Sequence, residues 1–199
     1  MRKRMVTAAM VAAGTLLAGC QLMVPSLHPL YEEGDRIEAP GLVGDWRVDD
    51  SNEIVRITEI GPKKYWLETV PDEDEPKVKL DVVLMRMAGL TFADFAYTDE
   101  SGLAIPGHFL ARIELDSDRF RIAPMKTSWL KEMLTEHNAL PSLLYGYSGM
   151  EKYLAILAPT KELQYFLLRH AGDPEAFKEE TTFYRVKQRG AQCKHETCY

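Results

Sequence analysis

From Leu42 onward the apolar positions recur with a period of two, in short runs separated by turn residues, which is the pattern of strands that bury one face. The first run is Gly44–Val48, followed by the polar cluster 49–52. Glu53–Ile60 comes next and is closed by Gly61-Pro62. Lys63–Val70 follows, with Tyr65, Leu67 and Thr69 on one face. The stretch 71–76 carries four acidic residues between two prolines and reads as a solvated turn. Beyond it Val78, Leu80, Val82 and Leu84 alternate with Lys79 and Asp81, and Gly89 ends that strand. Phe92–Tyr97, Phe109–Leu115 and Arg119–Ala123 complete seven strands before any helix. In the clearest of them Phe109, Ala111, Ile113 and Leu115 face one way while His108, Arg112 and Glu114 face the other.

At Pro124 the period changes. Thr127 or Ser128 is placed to cap a helix in which Trp129, Leu130, Met133 and Leu134 fall at helical spacing, ending near Asn138. A loop through Pro141, Gly146 and Gly149 leads to a strand at Tyr153–Leu157. Pro159-Thr160 opens a second helix with Leu163, Phe166 and Leu167 as its apolar stripe, stopping at Gly172, and Asp173-Pro174 predicts a third short helix through Phe177. Thr181–Lys187 is the closing strand. The predicted fold is therefore β-rich (α+β): an antiparallel up-and-down meander that hides its edges by forming a barrel or half-barrel, with two to three short helices in its C-terminal half.

The N-terminus obeys neither period. Arg2, Lys3 and Arg4 precede an apolar run from Met5 to Ala18, and Leu17-Ala18-Gly19-Cys20 places small residues before a cysteine. The run is near 14 residues, short of the roughly 20 that span a bilayer, so a secretory signal removed after Gly19 is the better reading. This segment resembles the bacterial lipoprotein signal, in which the cysteine thiol receives a diacylglycerol and becomes the new N-terminus. The resemblance implies lipidation of Cys20, and Gln21 in place of Asp implies export to the outer membrane. Each buried CH₂ of an acyl chain contributes about 0.8 kcal/mol, so several chains give stable anchoring. The expected organisation is a signal peptide over 1–19, a lipidated cysteine and flexible tether over 20–40, a single β-rich domain over 41–187 and a tail over 188–199.

Removing Arg2, Lys3 and Arg4 with the signal takes the net charge from −6 to −9. An acidic surface argues against a nucleic-acid partner and against electrostatic adhesion to anionic lipid, which leaves the anchor to hold the chain at the membrane. With Cys20 assigned to lipid, Cys193 and Cys198 are the remaining pair. A small disulfide loop is favoured over metal binding by Cys193, His195 and Cys198, which supplies only three local ligands, and a free pair of thiols is the third alternative.

Gly44-Asp45-Trp46 on the first strand resembles the entry motif of the lipocalin and wider calycin group, in which the tryptophan plugs one end of the barrel and a late arginine packs across the indole. The resemblance implies a structural pairing of Trp46 with Arg185, on the last strand. An ordinary core position is the other reading of Trp46. The whole chain is also similar to many uncharacterised bacterial lipoproteins that begin with Cys, a proline-rich stretch, Pro-Leu-Tyr (Pro29-Leu30-Tyr31) and then Gly-x-Trp.

Catalytic signals are weak. His28, His108, His137, His170 and His195 show no metal-ligand spacing, and Gly146-Tyr147-Ser148-Gly149 is one residue short of a nucleophile elbow and reads as a turn. Asp94, alternating with Phe92 and Ala96, points to the apolar side of its strand, where a structural role is favoured over a catalytic one. The expected function is a lipid-anchored binding or structural lipoprotein facing the periplasm, not an enzyme, with no cofactor and no metal. Its partners are the membrane, and either a small apolar ligand in the barrel or an envelope protein. The alternatives are a lipocalin-like carrier of a small apolar ligand or, least supported, an envelope-anchored hydrolase.

Overall fold

A computed structural model describes residues 24–49, 51–70, 77–97, 107–145, 153–177 and 180–186. In chain order the strands and helices are β1 (Gly44–Val48), β2 (Ile54–Gly61), β3 (Lys64–Val70), β4 (Lys79–Met87), β5 (Leu90–Tyr97), β6 (His108–Leu115), β7 (Arg119–Pro124), α1 (Thr127–Thr135), β8 (Ser142–Tyr145), β9 (Tyr153–Ile156), α2 (Thr160–His170) and β10 (Thr181–Arg185). Strands β1 to β7 follow one another as an antiparallel meander, and β10 pairs with both β7 and β1 to close an eight-stranded barrel. Strands β8 and β9 form a separate hairpin. None of the described helices is long and apolar enough to cross a membrane.

The alternation along the strands fills the barrel interior with Trp46, Tyr65, Phe95, Phe109, Phe120 and Phe183 among aliphatic neighbours, each less than a tenth exposed. One hairpin is tighter than the sequence suggests. Strand β4 runs on to Met87, which pairs with Leu90 across a two-residue turn, so β5 begins two residues before Phe92. Both turn residues, Ala88 (φ 47°) and Gly89 (φ 82°), take the left-handed conformation that matches the twist of a two-residue hairpin.

Strands β4 to β6 are buried on both faces. Met85, Phe92 and Leu110 point outward into a second core, where they meet Leu130 of α1 and Leu163, Phe166 and Leu167 of α2. The apolar runs Val82–Met85 and Phe109–Ala111 are the sequence trace of that double burial.

The N-terminal segment packs along the outside of β4 to β6, and here the expectation of a flexible tether through residue 40 fails for residues 24–40. Ser26 exchanges two backbone hydrogen bonds with His108 (both 2.9 Å), and on its other side Pro25 O and Leu27 N–H bond the backbone of Ile156 (2.8 and 3.0 Å). Leu30 is 0% exposed, and its carbonyl accepts from Gln164 Nε2 at 2.9 Å. Further along, Ile37 N–H donates to Leu84 O (2.9 Å) and Ala39 N–H to the Tyr65 hydroxyl (2.8 Å). Pro25, Pro29 and Pro40 thus shape a strap fixed to the barrel wall, because a proline-bearing chain without regular structure still orders when its apolar residues and backbone groups find partners.

Three local expectations are corrected. Helix α1 has Lys126 at its N-cap with no side-chain cap bond, so Thr127 is its first helical residue; the helix ends at Thr135, and Asn138 (φ 48°) turns the chain away. The segment after Asp173 is a turn in place of a third helix: the Asp173 carboxylate accepts Glu175 N–H at 2.8 Å, its carbonyl accepts Ala176 N–H, and Phe177 bridges to Met125. Ser142–Tyr145, read as loop, is a strand.

Replacing Leu30 by Ala is expected to destabilise the fold by about 2–5 kcal/mol in urea unfolding, as for a buried leucine. A change below about 0.5 kcal/mol, the level of an exposed site, would show that the strap is not packed.

Candidate functional site

The first constellation joins β1, β10 and the turn before β1. Trp46 lies opposite Arg185 across the β1–β10 pairing, and the Arg185 guanidinium carbon sits 4.2 Å from the centre of the indole ring, a cation–π contact. Arg185 Nη1 donates to Val43 O at 3.0 Å and Nη2 donates to Gly41 O, so one side chain staples the Pro40–Leu42 turn over the indole. The Trp46 Nε1–H donates to Leu42 O at 2.8 Å. Beneath it Trp46 meets Phe120 edge to face (4.7 Å), and Phe120 stacks on Phe183 (4.5 Å). The glycine before Trp46 is required twice over: Gly44 has φ 142°, and a Cβ there would stand 2.8 Å from Arg185 Nη1.

A second constellation lies under the strap. Asp94 is 2% exposed, and its Oδ2 accepts Leu30 N–H at 2.7 Å while Oδ1 lies 2.7 Å from His108 Nδ1, within hydrogen-bond distance. Ser26, whose backbone bridges to His108, donates its Oγ–H to His28 O (2.7 Å) and accepts His28 N–H (3.1 Å). Its proton is committed to the backbone and it is not poised as a nucleophile for His108.

The third is an open groove of about 600 Å³ between α1 and α2. Met133, Leu140 and Phe166 supply apolar walls, and Lys161, Tyr165 and Arg169 line one side. These three stand four residues apart, hence on one helical face. Lys161 pairs with Glu32 of the strap at 2.7 Å, which raises its pKa. His170 packs against Phe166 (4.8 Å) and Trp129 (5.0 Å). Burial, first, and then the neighbouring Arg169 cation hold its imidazole below the ordinary value, with Asp173 opposing.

Among the sequence-predicted residues, Trp46 and Arg185 meet, and Asp94 is buried and partnered. Cys20, Cys193, Cys198, His195 and Ser148 lie outside the described residues. Among the described residues no three His, Cys, Asp or Glu side chains cluster to hold a metal. The sequence reading missed the groove, although the 161, 165, 169 spacing was its available signal. It also missed His108 as the partner of Asp94, which needs the β5–β6 register. No family model, curated protein or solved structure matches the chain.

Two outcomes are expected of this region. Trp46→Ala costs about 3–5 kcal/mol in denaturant melts; a loss under about 1 kcal/mol would show that the indole is not packed in the core. Because the folded chain binds the His170 proton less tightly than the unfolded chain, stability falls as the pH drops below about 6.5 and levels off beneath the folded value. The His170 Cε1–H resonance should titrate with a midpoint below about 6.5, and a midpoint at or above it rejects the burial argument.

Proposed function

We propose that the protein is a lipid-anchored, non-catalytic binding lipoprotein of the bacterial envelope, held through Cys20 on the periplasmic side of the outer membrane, which recognises a protein partner with its outer, helical face. The observation that carries this reading is the contrast between inside and outside. The described interior positions of the barrel are filled by the chain's own aromatic side chains, while the outer face carries a groove of a size suited to an apolar side chain or short peptide, with cations at its edge. The anchor rests on the basic start, the short apolar run and the small residues before Cys20.

The polar constellations favour binding over chemistry. Both carboxylate oxygens of Asp94 hold structural partners, the strap backbone and His108. That engagement accounts for a buried acid without a reaction.

A second reading, a lipocalin-like carrier of a small apolar ligand, is favoured by one observation: the closed eight-stranded barrel whose first strand bears Gly44-Asp45-Trp46 with Arg185 over the indole. Native mass spectrometry of the purified chain separates the two, since a co-purified small molecule supports carriage and a bare chain supports surface recognition. Cys20→Ala is expected to move the protein from the membrane to the soluble fraction with its unfolding midpoint unchanged; a variant that stays with membranes rejects the anchor.

A further inference from the structure

The strap and the β8–β9 hairpin are joined in a way that gives the hairpin an orientation. Leu27 and Pro25 bond the backbone of Ile156 so that residues 25–27 run parallel to β9, and Ile156 is paired in turn with Ser142 of β8. Strap, β9 and β8 therefore lie side by side, with the strap about 10 Å from β8 at two strand spacings. Because strap and β9 are parallel, Val24 lies toward the end of the hairpin at which Tyr145 pairs with Tyr153.

The described residues of β8 toward that end are apolar and exposed. Leu143, Leu144 and Tyr145 are 49%, 52% and 46% exposed, three neighbours on one edge strand, and none of the residues of β8 or β9 is charged. Tyr145 and Tyr153 place their rings 5.7 Å apart. Leucines beside paired tyrosines form a surface suited to the boundary between lipid headgroups and acyl chains, where aromatic rings with a polar tip are favoured.

We infer that the β8–β9 hairpin rests on the lipid bilayer to which the chain is anchored, with Leu143, Leu144 and Tyr145 in its interfacial layer. This rests on the proposed lipidation of Cys20. The argument is one of reach: Val24 is fixed in the fold, and four residues from Cys20 to Val24 span at most about 14 Å. A lipid at Cys20 holds Val24 within that distance of the headgroups, on the side of the fold where the hairpin presents its leucines. The described residues of β8 and β9 carry no cation that anionic lipid would attract, so the contact is apolar.

The test uses the full chain purified from bacterial membranes and reconstituted in phosphatidylcholine vesicles, with or without brominated acyl chains, and an intact-mass measurement on the same sample. Tyr145→Trp adds a reporter at an exposed aromatic position. Its emission should shift to the blue and be lost in brominated vesicles beyond the loss seen for the unsubstituted chain. Adding Leu143→Ser and Leu144→Ser, both at exposed sites, should return quenching to the unsubstituted level with the circular dichroism unchanged. An acylated chain without added quenching overturns the hairpin contact and leaves the anchor standing. A chain without an acyl increment that is still quenched overturns the anchor and supports the contact, and absence of both overturns both. A concentration-dependent dimer in sedimentation, with no added quenching, assigns the hairpin to a second copy and overturns the inference.

Discussion

A carboxylate buried in an apolar wall must be given partners, and much of the outer architecture follows from how Asp94 obtains them. An unpaired polar group at such a site costs several kcal/mol, and an ionised one more. Asp94 is satisfied by one backbone N–H from a strap that lies 64 residues away in sequence and by one imidazole from the next strand. The strap is drawn against β4 to β6, and its own carbonyl at Leu30 is then answered by Gln164 of α2. Gln164 also reaches the Asp35 carboxylate, whose pKa is lowered first by the Glu32 backbone N–H and then by that amide. Strap, barrel wall and helix are thus tied by a run of polar contacts set among apolar ones, each of which fixes the register of the next.

The contact between β1 and β10 applies the same logic with a cation. Among the described residues Arg185 has no carboxylate partner; carbonyls of the Pro40–Leu42 turn and its neighbour accept its protons, and the indole face of Trp46 takes its charge. Lysine would not replace it, since a point charge on a flexible stem cannot lie flat on the ring and reach two carbonyls in a fork. Gly44 belongs to this arrangement because its missing side chain is the space the guanidinium occupies.

The strands of the barrel were legible because each buries at least one face, and a period of two survives in the sequence wherever that holds. What eluded the sequence is long-range. Strand β8 is a short apolar run, Leu143-Leu144-Tyr145, without alternation, and only its pairing with β9 makes it a strand. The strap carries three prolines and no period, so nothing local announces that Leu30 is among the most buried residues of the chain. Asp94 could be placed on its apolar face, yet His108 became its partner only through the β5–β6 register. Trp46 and Arg185 were paired by resemblance to a known barrel motif, not by any signal within the two strands themselves.

The closure of the barrel by β10 has a consequence for the order of folding. Strand β1 lacks one neighbour until residues 181–185 exist, and the strap's bond to Gln164 spans 134 positions. Contacts so distant in sequence require loop-closure entropy to be lost before they return energy, which slows the search and defers it. The meander from β1 to β7 can zip up by local hairpins as it emerges, but its first and last edges stay open in the meantime. The nascent chain therefore passes through a stage of curled, unsealed sheet, and native cohesion arrives only with its final segment.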